Sequence, residues 1–400
     1  MTKKHEIEIE LLPANEGDCL LITIINEDIH ILIDGGTANT YRTYLRERLI
    51  QLRNDGKAID LLVVTHIDND HIGGIIELLK ENGSNENPHI IEIRNIWHNS
   101  YRHLQFDKKD ALGKKEKNIL DNIISNGEAN LNRKLNNSEP ISALQGTTLA
   151  GLIYKGNYHW NEQFEGKAIL NNQINYRFGE KCCVSVLKPK KFDLEKLEKK
   201  WKNYLKSSKF SFAFSNDVLF DDAFEYYCRF LRKDATGYNE KISYNNRKIE
   251  EMNIKDISKI ITNSDSSITN RSSISIVIYY GNKKLLFLAD NIASEALEDL
   301  SQKEMNYSLV KLPHHGSESN IDDCFIKNVE TGIYLVSTNS EKYNHPDLET
   351  LAKIACKKTD YVKKIYFNYK VEKVVKFEQK IDKINNIEFI YLKKGQKIYL

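Results

Sequence analysis

Directly after the apolar run Leu61-Leu62-Val63-Val64, the chain continues Thr65-His66-Ile67-Asp68-Asn69-Asp70-His71-Ile72-Gly73-Gly74, which sets four metal-type ligands into six positions. Only a fold in which a buried strand ends at a site can use such a segment. In extended backbone, residues two apart point the same way, so His66, Asp68 and Asp70 are expected to converge while His71 diverges from Asp70. Neighbouring residues that point apart serve two adjacent ions, the arrangement needed for metals about 3.5–4 Å from each other. Gly73 and Gly74 are expected to remove side chains where a helix over residues 75–80 has to start close to the ions. The plain alternative is an acidic, histidine-capped turn that solvates a strand end. A generic turn, however, has no need of two histidines framing two aspartates at this spacing.

The pattern H-x-D-x-D-H-x-G-G resembles the signature of the metallo-β-lactamase-fold hydrolases. More narrowly, it is similar to the branch containing the hydrolase domain of the competence channel ComEC, in which the second position is Asp instead of His. Further pieces follow in that family's order: Asn15-Glu16-Gly17-Asp18 before the strand Cys19 to Ile24, then Ile31-Leu32-Ile33-Asp34-Gly35-Gly36, then Asn270-Arg271-Ser272-Ser273. Leu285-Leu286-Phe287-Leu288-Ala289-Asp290, Leu312-Pro313-His314-His315-Gly316-Ser317 and Asn344-His345-Pro346 complete the series. Together they span most of residues 6–98 and 269–360.

The resemblance implies an α/β fold, the αββα metallo-β-lactamase sandwich, here with a large, mainly helical insertion. Residues 1–98 and 269–400 would form the two halves of the core. Residues 99–268 would form the insertion, with one core strand near 182–188. The resemblance also implies that Asp290 bridges both ions, although an N-cap for a helix at 292–297 is the ordinary use of such a residue. Of His314 and His315, one is expected to bind metal and the other to contact substrate. His315 is favoured as the ligand because strand alternation would turn the two rings apart, which leaves His314 to act on the substrate; solvated loop histidines are the bland alternative. Asp34 is expected to support a ligand histidine without touching metal. His98 is either an extra ligand histidine or an ordinary strand-end residue, and His345 either lines the substrate cleft or caps the next helix. Arg271, Ser272 and Ser273 are expected to act through their backbone.

Composition bounds the rest. With 400 residues and 40% hydrophobic content the chain can bury a large core. Lys+Arg 58 against Asp+Glu 56 leaves +2, too balanced to argue for nucleic acid or an acidic membrane by bulk charge. The six cysteines form no C-x-x-C pair or regular framework, which favours reduced thiols in a cytoplasmic protein. The first ten residues alternate charge and Ile without the apolar core of a signal peptide, and no run approaches a membrane span. Strand signals fill 6–34, a helix is expected over 38–52, and Ile90 to Trp97 alternates as a strand that delivers His98. Residues 99–181 and 191–262 read as insertions that build a helical cap; their interleaved Lys and aromatics suit side chains that select what enters, gripping a phosphate backbone and stacked bases, but equally a helical domain with a wet surface, which is the slightly favoured reading.

The chemistry follows from the ligands. Carboxylates are harder than imidazoles, so Asp68 in place of histidine makes Mn²⁺ competitive with Zn²⁺ for the two divalent ions. Two ions lower the pKa of a bridging water, and Asp70 also orients it. The expected activity is that of a phosphodiesterase or nuclease acting on a phosphodiester, with DNA as candidate substrate. Stand-alone members of AVAST-type anti-phage defence systems carry similar insertions, which brings a partner defence protein into view. An ester or lactam hydrolase, a cyclic-nucleotide hydrolase and a metal-stabilised binding module without turnover are the alternatives.

Overall fold

A computed structural model describes residues 5–104, 108, 113–135, 148–210, 214–236, 252–301, 305–381 and 386–400. In the first half of the chain lie strands β1 (Ile7–Leu11), β2 (Leu20–Ile24), β3 (Ile29–Ile33), β4 (Leu61–Val63), β5 (Ile96–Trp97), β6 (Asn175–Arg177) and β7 (Cys182–Lys188). The second half adds β8 (Ser275–Tyr280), β9 (Lys283–Phe287), β10 (Leu309–Lys311), β11 (Ile333–Val336), β12 (Lys363–Phe367), β13 (Ile387–Tyr391) and β14 (Ile398–Tyr399). They form two sheets, ordered β14-β1-β2-β3-β4-β5 and β13-β12-β11-β10-β9-β8-β7-β6.

The sheets pack face to face. Ile7, Ile9, Ile22, Ile31, Leu61 and Val63 of the first meet Val184, Ile276, Ile278, Leu285, Phe287 and Leu309 of the second in one core. The opposite faces are also buried: Leu21, Leu32 and Leu62 lie under helices of the first half, and Val277, Leu286, Val310 and Val336 under helices of the second. Strands covered on both sides carry continuous apolar runs, which is why Leu61 to Val64 reads as unbroken hydrophobicity instead of alternation. The result is the expected four-layer αββα sandwich.

Several local expectations shift. The helix expected over 38–52 is built from Ala38–Thr40, a π-helical turn at Tyr41–Leu45, and Arg46–Asn54, with Asp55 as C-cap and Gly56 in the left-handed region at φ 73°. Of the strand expected from Ile90, only Ile96–Trp97 pairs with β4, and Ile93 makes one isolated bridge to Ile59. Within the helical cap expected over 99–181 lie helices Lys114–Leu135 and Leu149–Lys155, and residues 105–107, 109–112 and 136–147 lie outside the described residues.

Between β5 and β8 the structure holds these two helices, then β6 and β7, then helices Lys191–Ser207 and Val218–Thr236. Their buried residues, among them Ile123, Ile153, Trp201, Phe220 and Phe224, join the same cluster as Ile72, Ile75 and Leu79 of helix Asn69–Asn82. The inserted helices thus extend the outer layer over the first sheet. Arg102 fastens one of them, gripping Asp221 through Nη2 at 2.7 Å and Nε at 3.0 Å. Among the described residues no helix is long and apolar enough to cross a membrane, and all six cysteines are free thiols.

Candidate metal centre

At the end of β4 the chain turns over Asp34, whose carboxylate accepts from the Thr65 amide and the Thr65 hydroxyl, both at 2.8 Å. The same carboxylate lies 2.8 Å from His71 Nδ1. Asp34 therefore stands behind a histidine, fixing its ring and tautomer. The loop itself differs from the extended segment expected. Helix Asn69–Asn82 begins at Asn69 with Asp68 as its N-cap residue, so Asp70 and His71 occupy the first helical turn. Successive residues there diverge by the helical rotation of about 100°, which sends Asp70 and His71 to different places. Carboxylates at this end also face the positive pole of the helix.

The two glycines have another reason than the ions. A Cβ on Gly74 would come within 2.0 Å of the Gly35 carbonyl oxygen, and one on Gly73 within 3.0 Å of the Ala38 nitrogen. They let the helix lie against the turn after β3, and the Gly74 amide donates to Gly36 O at 2.9 Å. Gly17 plays the same part for the loop before β2: a Cβ there would sit 1.7 Å from Asp70 O.

Asp290 lies just after β9. Its Oδ2 is 3.6 Å from His66 Nε2 and 3.6 Å from His314 Nε2, and its Oδ1 is 3.6 Å from His71 Nε2. His66 Nε2 is 3.3 Å from Asp68 Oδ2, and His315 Nε2 is 3.6 Å from Asp70 Oδ2. The seven side chains thus fall into an outer group (His66, Asp68, His314) and an inner group (Asp70, His71, His315), with Asp290 between them. Burial opposes ionisation of Asp290, but His314, His71 and His66 outweigh it and hold the carboxyl well below its ordinary range.

His314 and His315 are not on a strand. β10 ends at Lys311, and both residues sit in the turn Pro313–Gly316 with left-handed φ of 44° and 56°. It is this turn, not strand alternation, that sets the rings at 68° to each other, one toward each group. Both are brought to the cluster. His314 Nδ1 pairs with Asn320 Oδ1 at 2.8 Å, and His315 Nδ1 lies 3.3 Å from Asp18 Oδ1.

His98 is not brought into the ligand groups formed among the described residues. Its Nδ1 lies 3.2 Å from Val64 O, its ring stacks on Trp160, burial lowers its pKa to about 4, and its Nε2 is buried without a hydrogen-bond partner. His345 stands beside His314 with ring centroids 5.3 Å apart and its Nδ1 3.4 Å from Asp347 Oδ1. The cap of the following helix is Asp347, not His345. Arg271, Ser272 and Ser273, expected to act through their backbone, are all engaged through side chains: Arg271 Nη1 donates to Asp265 O at 3.1 Å, Ser272 Oγ to Thr269 O at 2.8 Å and Ser273 Oγ to Asn270 O.

Asp18 and Lys311 went unassigned in the sequence. They form a buried ion pair behind His315. Burial raises the Asp18 pKa, and Lys311 together with His315 reverses this and holds it below the carboxylate range. A lysine interrupting Leu309-Val310-Lys311-Leu312 was the available signal, since a buried ammonium needs a partner. Asn320 and Asp265, whose Oδ2 is 3.7 Å from His314 Nδ1, gave none.

These residues fit metal ions. His66 Nε2, His71 Nε2, His315 Nε2 and both oxygens of Asp290 are buried with no hydrogen-bond partner. Separations of 3.3–3.6 Å are those of ligand atoms around a shared ion, for which bonds of about 2.0–2.1 Å give tetrahedral edges of about 3.4 Å. The charge also matches. The five buried carboxylates Asp18, Asp34, Asp68, Asp70 and Asp290 against the single ammonium of Lys311 leave four negative charges, the amount two divalent cations neutralise.

The centre has two unlike flanks. Against His66, the inserted helices set Leu194, Leu197, Phe224 and Cys228, leaving a cavity of about 20 Å³ that also touches Thr65 and Thr269. On the opposite side the surroundings are polar and partly open: His314, Asp265 and His345 keep 13–15% of their side chains exposed. Lys342, 46% exposed and 3.3 Å from Glu16, lies over the Tyr343 ring, whose centroid is 6.4 Å from that of His345. Among the described residues, the flank beside His66 is thus filled by the inserted helices, while the side at His314 and His345 is a partly open mouth.

Residues 12–136 match the family model of the metallo-beta-lactamase superfamily, and the two-sheet sandwich is the metallo-β-lactamase fold. No curated protein matches the chain. Among solved structures it is similar to Igni18, a metallo hydrolase from the hyperthermophilic archaeon Ignicoccus hospitalis KIN4/I, over 98% of each chain at 9% identity and a TM-score of 0.36. It is also similar to CmlA, a diiron beta-hydroxylase from Streptomyces venezuelae, over 100% of this chain and 54% of that one, at 10% identity and a TM-score of 0.35.

Proposed function

We propose that this chain of metallo-β-lactamase fold is a metal-dependent hydrolase of phosphodiesters. The observation that carries the reading is the pair of ligand groups sharing Asp290, with a charge deficit equal to two divalent ions. Zn²⁺ or Mn²⁺ bound there supplies Lewis-acid activation of a water and of a phosphoryl oxygen. The residues do the rest. Asp70, in the first helical turn, helps aim the attacking water. At the mouth His345, its ring 5.3 Å from that of His314 and its Nδ1 3.4 Å from Asp347, is positioned to hold or pass the proton a leaving oxygen requires, while His314, backed by Asn320, completes the outer ligand group. Lys342 offers a cation to a substrate phosphate at the entrance.

In its finer form the proposal is a cytoplasmic nuclease acting on DNA, serving anti-phage defence with a partner protein. That rests on the ComEC-like motif and the AVAST-like insertions. A second reading is favoured by one observation: the ligands are almost wholly buried and the insertion flank is filled. This suits a small diester, such as a cyclic nucleotide, better than the middle of a duplex. The experiment compares bis(p-nitrophenyl) phosphate, single- and double-stranded DNA, cyclic nucleotides and nitrocefin under Mn²⁺ and Zn²⁺. Chelator-sensitive cleavage of the diesters is expected; hydrolysis confined to nitrocefin would overturn the proposal.

A further inference from the structure

Lys311 is a charged residue where the fold asks for an apolar one. It closes β10 at 1% exposure, and its ammonium is paired with Asp18, itself 2% exposed. Removing two charges from water is costly, and an apolar pair of similar volume is often no less stable, so a buried ion pair is weak evidence of a stabilising purpose. Its surroundings point elsewhere. The second oxygen of Asp18 lies 3.3 Å from His315 Nδ1, and His315 Nε2 lies 3.6 Å from Asp70 Oδ2. The backbone of Asp18 is also fixed to the site: its N–H donates to Asp70 O at 3.3 Å and its carbonyl accepts from Gly36 N at 2.7 Å.

Resting on the reading of this cluster as a two-ion centre, we propose that Lys311 and Asp18 are positioning residues. The ammonium holds the Asp18 carboxylate 3.3 Å from His315 Nδ1, two buried atoms that are not hydrogen-bonded to each other; with an ion bound, the carboxylate would close on the Nδ1 proton and so present the Nε2 lone pair to the inner ion. A carboxylate behind an imidazole sets its tautomer and raises its basicity toward metal. The other oxygen of Asp18 is engaged by Lys311, so the carboxylate cannot rotate away from His315. Since the pair carries no net charge, its role is separable from the overall charge of the centre: removing both members leaves the four-charge deficit unchanged and takes away only the brace.

The test compares the wild-type chain with the double variant Asp18→Asn/Lys311→Met. Chelator-stripped protein is titrated with Zn²⁺ by calorimetry, the ions are counted by elemental analysis, and the histidine tautomers of the zinc-loaded wild type are read by ¹⁵N NMR. The double variant is expected to melt close to the stripped wild type. One of its two binding steps should weaken by about 10–100-fold, the usual effect of losing such a partner, with the other unchanged. His315 of the wild type is expected to carry its proton on Nδ1. Two unaltered binding steps in the double variant, or a His315 proton on Nε2, would overturn the bracing role. The tautomer measurement needs no variant to fold. A wild type that takes up no ion would instead overturn the metal-centre reading itself.

Discussion

The inner and outer ligand groups meet at one carboxylate, yet what stands behind them differs. Behind the inner group are charges: Asp34 on His71 at 2.8 Å, and Asp18 with Lys311 on His315. Behind the outer group the direct partners are neutral, with Thr65 Oγ1 at 3.0 Å from His66 Nδ1 and Asn320 Oδ1 at 2.8 Å from His314 Nδ1, and the carboxylates stand one step further back: Asp34 on Thr65, and Asp265 on Asn320 with its Oδ2 3.7 Å from His314 Nδ1. A carboxylate partner orients an imidazole and strengthens it as a donor to metal, whereas a hydroxyl or amide mainly orients it. The outer group also borders the open mouth. The two-ion proposal therefore predicts a tight, preformed inner half and an outer half that exchanges its ion more readily.

The largest effect that bears on this contrast is expected from Asp290→Ala, which serves both halves. Both ions should be lost and diester hydrolysis should fall by at least about 10³-fold; one ion retained at full occupancy would show that the halves do not share this ligand. Next is Asp34→Asn, expected to weaken the inner binding step by about 10–100-fold while sparing the outer one, as read by zinc calorimetry. Graded chelation of the wild type should release one ion well before the other, and simultaneous release would remove the contrast. Asn320→Ala takes away a neutral hydrogen bond of about 1 kcal/mol, so the outer step alone should weaken about fivefold. The smallest effect is that of Lys342→Ala, which should raise KM for a charged diester a few-fold at low salt and have little effect at high salt; an equal loss on an uncharged ester would take Lys342 out of substrate binding.

Much of this was legible in the chain because it is local. The strand-to-ligand passage from Leu61 to His71, the Asp34 turn and the approach to Asp290 each declare themselves within eleven residues or fewer. What escaped depends on distant partners. The helix starts at Asn69 and not near Ile75 because Gly73 and Gly74, poor helix formers in themselves, allow close contact with Gly35 and Ala38. The left-handed backbone of His314 and His315 has no local marker, since neither residue is a glycine or asparagine. Asp18 finds Lys311 only when the two sheets meet. The Lys- and aromatic-rich texture of 191–262 fits a surface for substrate and a plain helical domain alike, and only the folded chain shows that Phe220 and Phe224 are buried in the core shared with the first sheet.

Pairing of β1 with β14 sets Glu8 opposite Tyr399, and the Asn15 carbonyl accepts from Asn339 N at 2.7 Å. Contacts of such sequence separation repay their loop-closure entropy only when they form, so folding is expected to be slow and governed by topology. The inner group cannot be complete before this stage, because His315 and Lys311 arrive with the second sheet and Asp18 with the first. Metal uptake during refolding should accordingly lag behind helix formation, making the bound ion a clock for the final docking of the two sheets.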